Sequence, residues 1–165
     1  MQEKCAVVTG GARNIGQAIA RRLPNDGFRV IVLDIVAPED PDLQADARKV
    51  DLSDRNAAEA VFAEVADGRP VSVLINNVGI VRPALFDDVR IDDFDHVLSH
   101  NTRTALIAAK ALVPVMRKLG GGRIVMNTSR VTWARKHAAS TVPQKVPCSR
   151  WRAVGRWNWR VTRLP

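Results

Sequence analysis

The residues best suited to chemistry begin with Thr9-Gly10-Gly11-Ala12-Arg13-Asn14-Ile15-Gly16. Gly10 permits a tight turn, Gly16 permits close packing of a helix on a strand, and a helix opening near Ile15 turns its free N–H groups toward a pyrophosphate. Asp34 follows Gly16 by 18 residues at the end of an apolar run. A carboxylate there accepts hydrogen bonds from the ribose of an adenosine. Further polar clusters follow in order: Asp51-Leu52, then Asn76-Asn77-Val78-Gly79, then Asn101 and Ser129. Taken singly, each is explained as well by a turn, a cap or a strand-end hydroxyl.

The elements that must position these residues are legible in the hydrophobic pattern. Cys5-Ala6-Val7-Val8 is a short buried strand closed by the glycine cluster. Ile15, Ala18, Ile19 and Leu23 have helical spacing, and Pro24 and Gly27 end that helix. Phe28 to Leu33 predicts a second strand ending on Asp34, residues 41–49 a short helix, and Lys49-Val50-Asp51 a third strand. Ala57 to Val65 is an amphipathic helix, Val71 to Ile75 a fourth strand, and Asp92 to Lys118 one long helix. Gly120-Gly121-Gly122 then leads into a fifth strand, Arg123 to Met126. Strands alternating with helices imply right-handed crossovers and a parallel sheet. The expectation is an α/β fold of the Rossmann type, doubly wound and incomplete on its C-terminal side.

These motifs resemble those of the short-chain dehydrogenase/reductase family over residues 4 to about 129. The family carries Thr-Gly-x-x-x-Gly-x-Gly where other dinucleotide folds carry GxGxxG. Asn14 stands where its middle glycine is expected, and Asn tolerates left-handed backbone better than other non-glycine residues. The resemblance implies that Asp51 and Leu52 read the adenine and that Asn77, Val78 and Gly79 lie near the adenine ribose. It also implies that Asn101 belongs to a catalytic tetrad, where it holds a water in a proton relay. Thr9, Gly10, Arg13, Asn14, Ile15, Gly16 and Asp34 complete the expected cofactor contacts. The implied activity is hydride transfer between NAD or NADP and a secondary alcohol or ketone. Arg13 would attract the 2′-phosphate of NADP; Asp34 would repel it, and its placement makes NAD the expected cofactor.

The remaining groups of such a tetrad are a serine, a tyrosine and a lysine four residues after the tyrosine. Ser129 is the candidate serine, but the chain contains no tyrosine. The sequence after Asn127 also loses periodicity, and Pro143 and Pro147 interrupt it. Read with each codon starting on the third base of the written frame, the Ser140–Thr141 junction can encode tyrosine. The Gln144–Lys145 junction can then encode lysine, at the required spacing. Trp157-Asn158-Trp159-Arg160 must encode Glu-Leu-Ala if the arginine codon is CGN. The expectation is a frameshift between about Met126 and Trp133, with residues 1–129 a partial dinucleotide-binding domain and 130–165 an aberrant basic tail without regular structure. Such a chain would bind cofactor and turn over poorly, since acid–base groups contribute ~10²–10⁴-fold.

Charge supports that division. The net charge is +8, yet residues 1–95 hold all 17 acids with 11 of the 25 basic residues, while residues 96–165 hold the other 14 and no acid. Three of the four tryptophans, Trp151, Trp157 and Trp159, also fall in the last stretch of the chain, residues 140–165. A basic, tryptophan-bearing segment that binds nucleic acid or anionic lipid is one rival reading, and a non-catalytic NAD-binding sensor is another. Neither a nucleic-acid nor a membrane partner is expected. No apolar run reaches the ~18 residues a membrane helix needs, and no signal-peptide pattern precedes the first strand. Two cysteines, Cys5 and Cys148, suit a reducing cytoplasm better than a disulfide framework. The family is usually oligomeric; this chain, without the family's later elements, is not expected to be.

Overall fold

Five apolar runs form strands, and the computed structural model describes residues 4–82, 84 and 86–127. The strands are β1 (Lys4–Thr9), β2 (Phe28–Asp34), β3 (Ala47–Lys49), β4 (Val71–Asn76) and β5 (Arg123–Met126). All pairings are parallel, and the order across the sheet is β3-β2-β1-β4-β5. The chain therefore winds outward one way from β1 through β3, crosses back, and winds the other way through β4 and β5. Between β1 and β4 lies the switch point where open α/β sheets place their ligands.

Alternation along the strands fills both faces of the sheet. Val7, Ile31, Leu33, Val71 and Leu74 face one way and pack with Phe62 and Val65 of helix α3 (Arg55–Ala66) and Ala108, Leu112 and Met116 of helix α5 (Thr104–Lys118). Val8, Val30, Val32 and Ile75 face the other way and pack with Ala20 of helix α1 (Asn14–Arg22) and Leu43 of helix α2 (Pro41–Gln44). Phe62 is fully buried, and burying such a side chain contributes about 2–3 kcal/mol.

Helix limits follow local chemistry. After α1 a 3₁₀ turn, Leu23–Asp26, takes in Pro24, and Gly27 closes it at φ 81°, donating its N–H back to Leu23 and Pro24 carbonyls. Asp54 starts α3 by accepting from the amides of Asn56 and Ala57 at 2.8 and 3.1 Å. Asp40 starts α2 in the same way, accepting from Asp42 N at 3.1 Å.

Three expectations shift. The helix predicted over 41–49 is confined to Pro41–Gln44. The third strand lies two residues earlier than predicted, pairing Ala47, Arg48 and Lys49 with Val32, Leu33 and Asp34. Val50 still donates to Asp34 O at 2.7 Å, so the predicted segment carries the last bond of that ladder. The long helix predicted over 92–118 is α4 (Ile91–Leu98) and α5 joined by a π-helical turn, Ser99–Arg103, with Asn101 at its centre.

Candidate functional site

The turn after β1 is built around two left-handed residues. Gly10 has φ 63° and Asn14 has φ 51°, the only non-glycine residue with positive φ among the described residues. Asn14 thus takes the backbone conformation expected of the glycine it stands for. Gly16 is required for space: a Cβ there would lie 1.9 Å from Gly10 O and 2.6 Å from Asn77 Nδ2. The first turn of α1 contains no acid, and its N-cap, Arg13, gives no side-chain hydrogen bond to the helix end. Its leading amides therefore remain open to an anion.

Strand ends lock this turn in place. The Thr9 hydroxyl donates to Ile75 O at 3.3 Å and accepts from the amides of Asn77 and Val78 at 3.0 and 3.2 Å. It ties the end of β1 to the chain leaving β4, and only 1% of Thr9 is exposed. Asn77 Nδ2 donates to Gly10 O at 2.9 Å, and its Oδ1 accepts from Asn127 Nδ2 at 2.7 Å. Asp34 is buried, not a solvated loop carboxylate. Its Oδ2 accepts from Ala12 N at 3.0 Å and its Oδ1 from Val36 N at 3.3 Å, so one carboxylate fixes both the glycine turn and the chain after β2.

The result is a cleft of about 400 Å³ across the C-terminal ends of the strands. Gly10, Arg13, Asn14, Ile15 and Gly16 form one side of its lining, and Asp34, Asp51, Leu52, Asn77, Val78 and Gly79 also border it. Thr9 and Asn101 do not line it; they position what does. Asn101 is buried, its Oδ1 accepting from Ile80 N at 2.8 Å and its Nδ2 donating to Ile80 O at 2.9 Å. Its carboxamide thereby saturates the backbone of one residue next to Gly79. Ser129 lies outside the described residues, as do the Ser140–Thr141 and Gln144–Lys145 junctions and the tail.

Asp51 Oδ1 accepts from Ser53 Oγ at 2.7 Å and Ser53 N at 2.9 Å. The Ser53 hydroxyl, then its amide, holds the Asp51 carboxyl below the usual carboxylate range, with the charge of His100 adding to the effect against a smaller opposing effect of burial. Sequence reasoning missed Ile35, Val50, Ser53, Ile80, His100 and Asn127, all of which border the cleft. Their common signal was available: each lies beside a strand-end motif or beside Asn101. No cluster of His, Cys, Asp and Glu able to hold a metal occurs among the described residues. None of their helices is long and apolar enough to cross a membrane.

A parallel sheet with this strand order, a glycine turn at its switch point and a carboxylate closing the second strand defines a dinucleotide-binding α/β fold. The open helix N-terminus, the glycine approach and the buried Asp34 have the chemistry that a pyrophosphate and a ribose require. Comparison with known proteins sharpens the class. The short chain dehydrogenase family profile matches residues 4–141, and the chain belongs to that family. It is 31% identical over 156 residues to an NADPH-dependent aldehyde reductase-like chloroplastic protein of Arabidopsis thaliana, covering 81% of this chain and 58% of that one. It is 32% identical over 142 residues to D-xylose 1-dehydrogenase of Caulobacter vibrioides, covering 81% and 56% respectively. The chain thus spans a little over half the length of these curated relatives.

Solved structures agree. A short chain dehydrogenase from Burkholderia cenocepacia in complex with NADP superposes with a TM-score of 0.75 at 32% identity, covering 91% of this chain and 66% of that one. The ligand-free aldohexose dehydrogenase of Thermoplasma acidophilum gives 0.79 at 26% identity, covering 89% and 58%. Family membership gives NAD or NADP as the cofactor class.

Proposed function

We propose that the chain is the dinucleotide-binding part of an oxidoreductase that transfers hydride between a nicotinamide cofactor and a secondary alcohol or ketone, with NAD preferred over NADP. The observation that carries this reading is the Asp34 carboxylate, buried at the end of β2 and bonded to the glycine turn through Ala12 N. Its oxygens retain lone pairs for ribose hydroxyls, while a 2′-phosphate would bring a second anion against a carboxylate that cannot move away. Arg13 is exposed at the same end of the cleft and would offset part of that repulsion. NADP accompanies the Burkholderia relative and NADPH dependence the Arabidopsis one. The buried carboxylate is weighted above both, because it belongs to this chain. Calorimetric titration of the full chain with NAD and NADP tests the assignment: NAD is expected to bind more tightly, and tighter NADP binding overturns the preference.

When bound, the nicotinamide supplies the hydride acceptor or donor. Here the glycine turn and the α1 amides hold the pyrophosphate, Asp34 the ribose, and Asn101 fixes the chain at Ile80 beside the cleft; Ser129 is assigned the substrate oxygen. With no tyrosine in the sequence, the proton-transfer step lacks its usual donor, and binding without appreciable turnover is expected. We attribute the loss to a shift of frame between about Met126 and Trp133. Determining the nucleotide sequence over those codons decides this: an intact frame that restores no Tyr-x-x-x-Lys pair ends the idea.

A further inference from the structure

His96 lies in the last turn of α4, and His100 lies four residues on in the π-helical turn. Side chains four apart share one face of a helix, and two histidines so placed make a chelating pair. Here the rings meet: their centroids are 4.3 Å apart, with the planes tilted by 57°. An ion held about 2.0–2.1 Å from a ring nitrogen stands roughly 3 Å from the centre of that ring. Two rings at the observed separation can therefore share one ion at an angle of about 90°, the cis arrangement of tetragonal and octahedral coordination.

One nitrogen is already prepared. His100 Nδ1 is 2.9 Å from the His96 carbonyl oxygen. A carbonyl only accepts, so in the neutral ring Nδ1 carries the proton and Nε2 keeps its lone pair. A backbone carbonyl on the far nitrogen is the support that metal-bound imidazoles ordinarily have. His96 is exposed and His100 half-buried, so solvent reaches the pair. Among the described residues no third His, Cys, Asp or Glu joins them. Water then completes the shell, and the ion exchanges.

We propose that His96 and His100 form a bidentate, exchangeable site for a late first-row divalent ion, copper(II) or nickel(II) over tetrahedral zinc(II), which clamps the end of α4 to the turn that carries Asn101. The unfolded chain lacks this pairing, so the ion stabilises the folded state. The site does not depend on what the cleft binds.

The untagged full chain is titrated calorimetrically with nickel(II) chloride, which spares the thiols of Cys5 and Cys148 from oxidation, and is melted with and without the ion. The unaltered protein is expected to bind one ion and to melt at a higher temperature with it. His96→Ala and His100→Ala are each expected to lose about tenfold or more in affinity and to lose the shift in melting temperature. His137→Ala, which removes the third histidine of the sequence, is expected to change neither. His96 is exposed, so its variant should melt like the unaltered protein when a chelator is present. No binding at millimolar nickel(II), or undiminished binding by His96→Ala, overturns the site. Affinity lost with His137→Ala overturns the bidentate pair, and tighter binding of zinc(II) than of nickel(II) overturns the coordination assigned to it.

Discussion

The glycine turn after β1 and the π-helical turn before α5 are both departures from regular backbone beside one cleft, yet they are held in opposite ways. In the glycine turn the unusual geometry falls on residues whose own chemistry permits it, Gly10 at φ 63° and Asn14 at φ 51°. In the π-helical turn no residue is a glycine, a proline or left-handed, and it is tied to other segments by the two hydrogen bonds between Asn101 and Ile80 and by that of Arg103 to Ser53 O. A local irregularity is thus written in residue type where the cost is local, and in a distant partner where it is not.

That contrast can be broken at several strengths. Gly16→Ala should do most damage, because the added Cβ meets the Gly10 carbonyl and backbone must move. A loss on the order of 4 kcal/mol, read from the urea midpoint, and loss of measurable NAD binding are expected. Asn101→Ala strips the half-buried backbone of Ile80 of both partners and should cost about 1–3 kcal/mol in the same assay. A cost under about 0.5 kcal/mol would mean that the π-helical turn is held by something else.

Asn14→Ala should cost about 1 kcal/mol, the penalty of left-handed backbone for an ordinary side chain, with Asn14→Gly close to neutral. Equal effects of the two would show that φ at this position is not what matters.

The smallest expected effect lies away from the cleft. Asp46 accepts from Arg29 Nη2 at 2.8 Å, and the Arg29 hydrogen bond, with the charges of Arg29, Arg69 and Arg48, holds its carboxyl below the ordinary value of 3.8 despite partial burial. A lowered folded-state value means stability present above the unfolded pKa and lost as pH falls through the folded one. Asp46→Asn should therefore cost about 1 kcal/mol or less near neutrality, and the difference should shrink below the unfolded carboxylate range and vanish below the lowered folded-state value; thermal melts from neutral pH down into the acid range below it check this.

The same distinction explains how much was legible in the sequence. Strands β1, β2, β4 and β5 were readable because continuous apolar runs have few other uses. The glycine turn and Asp34 were readable because their spacing matched their place between strands. β3 was misplaced by two residues because it is a short edge strand with no fully buried residue, so burial leaves no pattern in Ala47-Arg48-Lys49. The break between α4 and α5 was invisible because Ser99 to Arg103 carries no proline or glycine to announce it. Thr9 and Asn101 were legible as motif residues, but the backbone that their side chains hold was not: the bonds of Thr9 to the chain leaving β4 and of Asn101 to Ile80 join segments far apart in sequence. His100 was passed over because a histidine on a helix gives no sign of facing a cleft; its place beside Asp51 and Leu52 comes only from the fold.

A π-helical turn amounts to one surplus residue within an otherwise continuous rod. Removing a single codon between Ser99 and Arg103 would give a straighter, more regular helix, at about 100° of rotation per residue. The wide turn is also what carries Asn101 to the backbone of Ile80. A redesign that rewards helical regularity would select that deletion and lose the tie between this rod and the chain that leaves β4.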